Sequence, residues 1–219
     1  MRQLEIEFSS WGGAREGAGR RRRPGAAPCV AHRRRERHAK AHPVHVTLRA
    51  RRGLPPFRER VLAAHIRECI RLANRAAQGA FRVVHFSVQR DHLHLVVEAS
   101  DSRALARGVQ GLAIRVARGI NGLLGKRGRV WGDRYHAREL ATPRAVRDAI
   151  VYVLMNGKKH GTAGAVDACS SAPWFDGFVH PIAPAPGEPP VHPPGTWLGQ
   201  VGWRRHGLVG FDERPRSPG

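Results

Sequence analysis

Two hydrophobic patterns alternate along the middle of the chain, and the first is the two-residue period of β-strands. Residues 44–49 alternate in this way, so we predict that a strand begins there, with His45 and Thr47 on one face. Residues 81–88 are rich in β-branched and aromatic side chains, and residues 92–98 follow after a short polar turn. Two such segments joined by a tight turn predict an antiparallel pair of strands.

Three other segments have the three-to-four-residue spacing of apolar positions that is typical of amphipathic helices. The first runs from about residue 55 to 78 and the second from 102 to 124. The third begins at Pro143, behind a Thr142 cap, and ends at Gly157. The order β-α-β-β-α-(β)-α predicts an α+β fold in which an antiparallel sheet carries its helices on one face.

The charge balance indicates what kind of molecule this protein binds. Lys and Arg number 38 against 17 Asp and Glu, so the formal net charge is +21. A G+C-rich codon usage explains the preference for arginine over lysine, but not the sign of the net charge. A surplus of this size indicates a polyanionic partner, usually nucleic acid.

The sequence shows no membrane or export signal. No apolar stretch is long enough to span a bilayer, and the N-terminus lacks the apolar run of a signal peptide. The three cysteines form no CxxC pair, so neither a disulfide framework nor a structural zinc site is indicated. We therefore expect a cytoplasmic, nucleoid-associated protein without a membrane partner.

Basic and proline-rich segments flank the patterned region and divide the chain into a flexible basic arm at 1–42, a folded domain at 43–161 and a Pro-rich tail at 162–219. Blocks of like charge in the arm resist packing and suit phosphate binding. In the tail, the dense proline from 181 to 194 predicts an extended linker. The last segment, 197–211, either docks on the core or contacts nucleic acid.

Basic residues at three places are candidates for contacts with phosphate. They lie in the arm, along one row of the first helix, and in and after the Gly/Arg-rich loop that follows the second helix. Each helix or loop position, taken singly, is better explained as a solvated surface charge. The candidates are Arg21, Arg22, Arg23, Arg67, Arg71, Arg75, Lys126, Arg127, Arg129 and Arg134.

A His-Leu-His pair lies in the predicted strand at 92–98. Because strand side chains alternate between faces, His92 and His94 share one face. Two adjacent imidazoles make half of a divalent-metal site. The pattern alone fits two half-exposed histidines on a sheet face equally well.

The chain has two tyrosines, and Tyr152 lies in the third helix. At 100° per residue it falls about 110° from the centre of that helix's apolar stripe. Asp148 and Asn156 share its face at i−4 and i+4. This arrangement suits a nucleophile with a metal ligand one turn on, although the residues alone favour a tyrosine packed at the edge of the core.

Four sequence blocks in a fixed order resemble the single-tyrosine HUH transposases of the IS200-like superfamily, most of all its REP-associated tyrosine transposases. The blocks are VHVTLR at 44–49, VQRDHLHL at 88–95, WGDRYH at 131–136 and YVLMNG at 152–157. The similarity spans about residues 43–161 and leaves both flanking segments outside it.

The resemblance implies a ferredoxin-like fold with one catalytic tyrosine on its C-terminal helix, which is Tyr152 in this sequence. It also implies that His92, His94 and Asn156 bind Mg²⁺ or Mn²⁺. The family usually has Asn-Pro where this chain has Asn156-Gly157, which changes how the chain leaves the helix. The implied partner is single-stranded or hairpin DNA, and the active unit is either a monomer or a homodimer.

The implied reaction is a transesterification. The tyrosyl oxygen attacks the scissile phosphate and leaves a 5′-phosphotyrosine and a free 3′-hydroxyl. Two other interpretations stay open: a DNA- or RNA-binding protein of the same fold without catalysis, and a metal-dependent hydrolase that uses activated water. The sequence has neither a P-loop motif for ATP nor an HExxH motif of zinc hydrolases.

Five further residues are candidates for lining the site. His45 shares the polar face of its strand, although a buried, hydrogen-bonded histidine explains it better. Glu98 is either a positioning group or a charge at the sheet edge. Tyr135 and His136 belong to one of the resembling blocks and suit substrate positioning or packing. Asp148 lies one turn before the candidate nucleophile.

Overall fold

The computed structural model describes residues 38–157, 166–183 and 185–214. The strands are β1 Val44–Arg49, β2 Phe81–Val88, β3 His92–Ala99 and β4 His136–Glu139. The helices are α1 Arg60–Ala76, α2 Ser102–Leu123, α3 Pro143–Met155 and α4 Trp197–Gln200, with 3-10 helices at Ala172–Trp174 and Gly202–His206. The order of elements up to α3 agrees with the order that the hydrophobic pattern predicts.

The four strands form one antiparallel sheet in the order β2-β3-β1-β4. β3 therefore lies inside the sheet, with β1 as one of its neighbours. In that pairing Thr47 faces His94, and Arg49 faces His92. The His-Leu-His pair thus lies beside the polar side chains of β1.

The expectation that the helices lie on one face of the sheet is wrong. α1 and α2 pack on the face that carries Val46 and Leu95. We call the described residues 166–183 and 185–214 the C-terminal segment. α3 and this segment pack over Val84 and Val96 on the opposite face. The physical reason is that β3 buries apolar side chains on both faces, so each face needs an apolar layer. Among the described residues, none of the helices is long and apolar enough to cross a membrane.

Local sequence explains where the helices begin. Asp101 caps α2 by accepting hydrogen bonds from the backbone N–H groups of Arg103 and Ala104. Thr142 caps α3 in the same way, as the sequence predicts. α1 begins later than predicted because the backbone N–H of Phe57 donates to the carbonyl of Arg90, which holds the chain before Arg60 outside the helix.

The C-terminal segment docks on the core, which is one of the two alternatives for residues 197–211. Trp203 is 2 % exposed and joins Phe175 and Phe178 in the second core. Residues 169–171 run along the outer edge of β2, where the backbone N–H of Val88 donates to the carbonyl of Cys169 at 2.7 Å. An edge strand that would otherwise be open is covered in this way.

The two flanking parts that the sequence predicts, the proline-rich stretch and the basic arm, are described to different extents. The proline-rich stretch from 181 to 194 contains neither helix nor strand where it is described, and Glu188 ties it to α1. Arg21, Arg22 and Arg23 of the predicted basic arm lie outside the described residues.

Candidate active site

His92 and His94 point from the same face of β3, with ring centroids 4.6 Å apart. This is the face that the strand period predicts. The side chain of His92 is 25 % exposed, whereas His94 is buried. One histidine of the pair is therefore buried, and the other is accessible to solvent.

The Nδ1 atom of each imidazole has a partner in the protein. Nδ1 of His92 lies 2.8 Å from a carboxylate oxygen of Asp91. Nδ1 of His94 lies 3.2 Å from Oγ1 of Thr47 and 3.2 Å from Nε2 of His45. These contacts orient both rings, and Nε2 is the nitrogen that each ring would offer to a metal ion.

Tyr152 reaches these histidines from α3. Its hydroxyl lies 3.5 Å from Nε2 of His94, and its ring meets those of His94 and His45 edge to face at centroid distances of 4.9 and 5.6 Å. Burial raises the pKa of Tyr152 above its ordinary value, so the phenol is protonated at neutral pH. The predicted nucleophile and the predicted metal-binding pair are thus adjacent.

His45 is the buried, hydrogen-bonded histidine that the sequence favoured. Burial and, to a smaller extent, the nearby charges of Arg138 and His136 together lower its pKa to about 4. His45 is therefore neutral at physiological pH. His136 lies on β4, opposite Thr47, and its side chain is exposed, so it borders the site on the side of the sheet edge.

Asn156 follows the last residue of α3, one turn beyond Tyr152, and is 3 % exposed. Across 38–157, 166–183 and 185–214, the His, Cys, Asp and Glu side chains form no group of three that could hold a metal ion. A metal at the His-Leu-His pair would therefore need an oxygen donor of another kind, such as this amide. The ligand role of Asn156 stays a prediction.

Three of the candidates for lining the site lie elsewhere. Glu98 is buried and accepts hydrogen bonds from the backbone N–H groups of Gly195 and Thr196, so it anchors the C-terminal segment. Asp148 is exposed and faces Arg144 at 3.9 Å. Tyr135 packs against the first core, on the opposite side of the sheet from the histidines.

The arginine row of α1 lies on the opposite face of the sheet from the site and bonds within the protein. Arg71 and Arg75 both bind Glu188 of the proline-rich stretch, and Arg67 donates to the carbonyl of Ala168. Their visible role is to hold the C-terminal segment on α1. Their contact with phosphate stays a prediction.

The basic loop after α2 lies closer to the histidines. The backbone of its residues 130 and 132 bonds to Arg51 and Arg49 at the end of β1, and Arg49 faces His92 in the sheet. The loop is therefore at the His92 end of β3. Its exposed cations are Lys126, Arg127, Arg129 and, just beyond it, Arg134.

Sequence reasoning missed Thr47, Asp91 and Arg138 as parts of the site. Asp91 stands directly before the His-Leu-His pair, and that adjacency was an available signal. Thr47 was placed on the right face, but its position opposite His94 depends on the strand register. Arg138 lies in β4, a strand of only four residues that has no clear alternation of apolar and polar positions.

Comparisons with known proteins found a family profile and solved structures to which this chain is similar. The profile described as "Transposase IS200 like" matches residues 38–152. A REP-associated tyrosine transposase solved with a REP hairpin is 16 % identical, with a TM-score of 0.48 and coverage of 60 % of this chain and 75 % of that chain. A candidate transposase from Deinococcus radiodurans R1 is 15 % identical, with a TM-score of 0.38 and coverage of 48 % and 85 %.

No curated protein sequence matches this chain significantly. The family profile nevertheless spans more than half of the 219 residues and includes His92, His94 and Tyr152. The chain belongs to the family of IS200-like transposases.

Proposed function

We propose that this transposase cleaves and rejoins single-stranded DNA through a covalent bond to Tyr152, assisted by a divalent cation. The observation that carries the proposal is the 3.5 Å distance between the Tyr152 hydroxyl and Nε2 of His94. A phenol oxygen and a metal-binding nitrogen this close together can reach the same phosphate group. Cleavage by direct displacement at phosphorus requires that proximity.

The residues present fit a divalent cation. A metal-binding histidine usually donates from its other ring nitrogen to a carboxylate, a backbone carbonyl or water. Asp91 is such a carboxylate beside His92, and the hydroxyl of Thr47 takes the corresponding position beside His94. The amide oxygen of Asn156 would complete the set. Mg²⁺ or Mn²⁺ held there would polarise the scissile phosphate.

The protein's own part in the reaction begins with a protonated Tyr152. Its oxygen forms the new bond to phosphorus, the bond from phosphorus to the 3′-oxygen breaks, and the phenol proton ends on the departing 3′-hydroxyl, directly or through water. The reverse attack by a 3′-hydroxyl rejoins strands and frees the tyrosine. The covalent bond conserves the phosphodiester energy, so no nucleotide triphosphate is consumed.

Substrate binding is proposed to use the exposed cations of the loop after α2, because they lie at the His92 end of β3. Neutralising phosphates in this way supplies affinity without sequence choice. The substrate is proposed to be single-stranded or hairpin DNA, as the resemblance implies.

A denaturing gel tests the proposal with end-labelled hairpin DNA from the flanks of the gene. The full chain is incubated with Mn²⁺, with EDTA, and as the variants Tyr152→Phe and Tyr135→Phe. We expect a slow-migrating protein–DNA adduct that requires Mn²⁺ and disappears in Tyr152→Phe. Tyr135→Phe is the matched control, because Tyr135 packs on the other side of the sheet, and it should retain the adduct.

Other results would contradict the proposal. Cleavage by Tyr152→Phe would show that another group attacks the phosphate. Cleavage by the unaltered chain without any adduct would favour a hydrolase that uses water. Tight DNA binding with neither cleavage nor adduct would favour a binding protein that has kept the fold.

A further inference from the structure

The C-terminal segment exposes part of an aromatic side chain that has a cation over its ring. Trp197 begins α4 and is 49 % exposed. The guanidinium carbon of Arg205 lies 4.9 Å from the centroid of its ring. Val201 and Leu208 in the same segment are 51 % and 39 % exposed. We call Trp197 and Arg205 the Trp–Arg pair.

The backbone beneath the Trp–Arg pair is firmly held. Trp203 is buried, and its indole N–H donates to the carbonyl of Gly199 at 3.0 Å. On the N-terminal side, the hydroxyl of Thr196 donates to Glu98 at 2.7 Å. The exposure of Trp197 therefore belongs to a well-packed segment rather than to a loose chain end.

The glycine at position 202 lets the indole of Trp197 pack directly against the backbone. A Cβ atom at Gly202 would lie 2.7 Å from the six-membered ring of Trp197, so only glycine allows the ring to lie this close to the backbone. A ring held in place loses little conformational entropy when a ligand stacks on it.

Arg205 differs from the other cations of this region because its charge is not neutralised within the described part of the chain. Arg204 also lies over a tryptophan, but it pairs with Asp176 at 3.0 Å. Arg147 binds Glu213 at 2.7 Å. No described carboxylate lies within ion-pair distance of Arg205, so its guanidinium is available to an external anion.

We propose that the Trp–Arg pair is a binding platform for single-stranded DNA, outside the active site. A base stacks on the exposed part of the Trp197 indole, and the adjacent phosphate meets Arg205. Exposed aromatic rings beside cations suit single strands, because every base offers a flat face and every linkage a negative charge. The net charge of +21 favours the same polyanion.

The platform and the nucleophile are supported by one helix. Arg147 of α3 donates to the carbonyl of Gly207, directly after the 3-10 helix that carries Arg205. Tyr152 follows Arg147 by five residues on that helix, which is about 7.5 Å along its axis. The platform therefore suits the strand that flanks the cleavage point, and it lies beyond the family profile, which ends at residue 152.

The choice of DNA as the ligand rests on the proposed function, whereas the binding itself does not. Fluorescence anisotropy of labelled oligothymidylate with the full chain in EDTA measures binding without cleavage. The variants are Trp197→Ala, Trp197→Phe, Arg205→Ala and the control Arg107→Ala. The control removes the same charge from α2, on the other face of the sheet.

We expect Trp197→Ala to weaken binding about 5- to 100-fold, the range for losing one base stack, and Trp197→Phe to keep most of the affinity. Arg205→Ala should reduce the salt dependence of log K by about 0.7, the value for one phosphate contact on a single strand. Arg107→Ala should bind within about twofold of the unaltered chain, because a distant solvated charge adds little.

Unchanged affinity in both Trp197→Ala and Arg205→Ala would overturn the platform. So would sedimentation showing that Trp197→Ala separates a dimer into monomers, because the pair would then be an interface between copies. These outcomes are independent of the adduct assay. Loss of the adduct with the platform intact counts only against the proposed function.

Discussion

At the scale of single residues, Thr47 is the side chain that orients the central histidine. Its hydroxyl lies 3.2 Å from Nδ1 of His94, and Nε2 of the same ring lies 3.5 Å from the Tyr152 hydroxyl. The orientation of one imidazole therefore couples a strand of the sheet to the nucleophile. Groups in this position commonly matter about 10- to 100-fold for metal affinity or activity.

We expect Thr47→Val to lower the single-turnover rate of adduct formation and the affinity for Mn²⁺ about tenfold each. The substitution keeps the shape of the side chain and removes only the hydroxyl. Thr47→Ser keeps the hydroxyl and should restore both quantities. Equal rates and equal Mn²⁺ affinities in Thr47→Val and the unaltered chain would show that His45 alone suffices to orient His94.

The sequence predicted the three principal candidates, which lie close together in the structure, but not the residues that orient them. His92, His94 and Tyr152 follow from a two-residue strand period, a helical face and the resemblance. Thr47 and Asp91 could not be assigned in the same way. Their roles depend on which residues face each other across strands and turns, and hydrophobic pattern carries no register between distant segments.

At the scale of secondary-structure elements, the buried Glu98 joins β3 to the C-terminal segment. It accepts hydrogen bonds from the backbone N–H of Gly195 at 2.6 Å and from both the backbone N–H and the hydroxyl of Thr196. Arg82 also approaches it, at 3.9 Å. A single carboxylate thus holds the turn from which α4 begins.

We expect Glu98→Gln to lower the free energy of unfolding by about 1–3 kcal/mol, because an amide nitrogen cannot accept the hydrogen bonds that one carboxylate oxygen accepts. Urea denaturation measures the loss, and limited proteolysis should show earlier cleavage after residue 183. Asp148→Asn is the matched control, since its exposed pair with Arg144 contributes about 0–1 kcal/mol. Equal losses in the two variants would contradict the anchoring role.

Hydrophobic period predicted the strands and helices of the domain to within a few residues, but not how they are layered. The face of β3 that packs under α3 carries one valine, two histidines and a glutamate. The alternation of apolar and polar residues therefore predicted that this face is polar. This face is nevertheless buried, because aromatic side chains between residues 175 and 203 pack in the same core. Such long-range packing leaves no periodic trace in β3 itself.

At the scale of the whole molecule, two histidines couple folding to pH: His45, which is buried, and His85, which is partly exposed. Burial lowers the pKa of His45 and that of His85 to about 4 each, from an ordinary value of 6.5. The folded protein therefore keeps both neutral at pH values where the unfolded chain binds protons. Between pH 6.5 and 4 the unfolded state binds more protons, so stability must fall as the pH falls.

We expect the free energy of unfolding to be nearly constant above pH 7 and to decrease by up to about 3 kcal/mol for each histidine as the pH falls from 6.5 to 4. Urea denaturation at a series of pH values measures this slope. His85→Asn removes one titrating group away from the active site, beneath Phe175, and should flatten the slope by about half while lowering stability at neutral pH. A slope between pH 6.5 and 4 that is the same in His85→Asn and the unaltered chain would show that His85 is solvated enough to titrate normally. The remaining acid sensitivity would then come from His45 and from repulsion among the molecule's surplus positive charges.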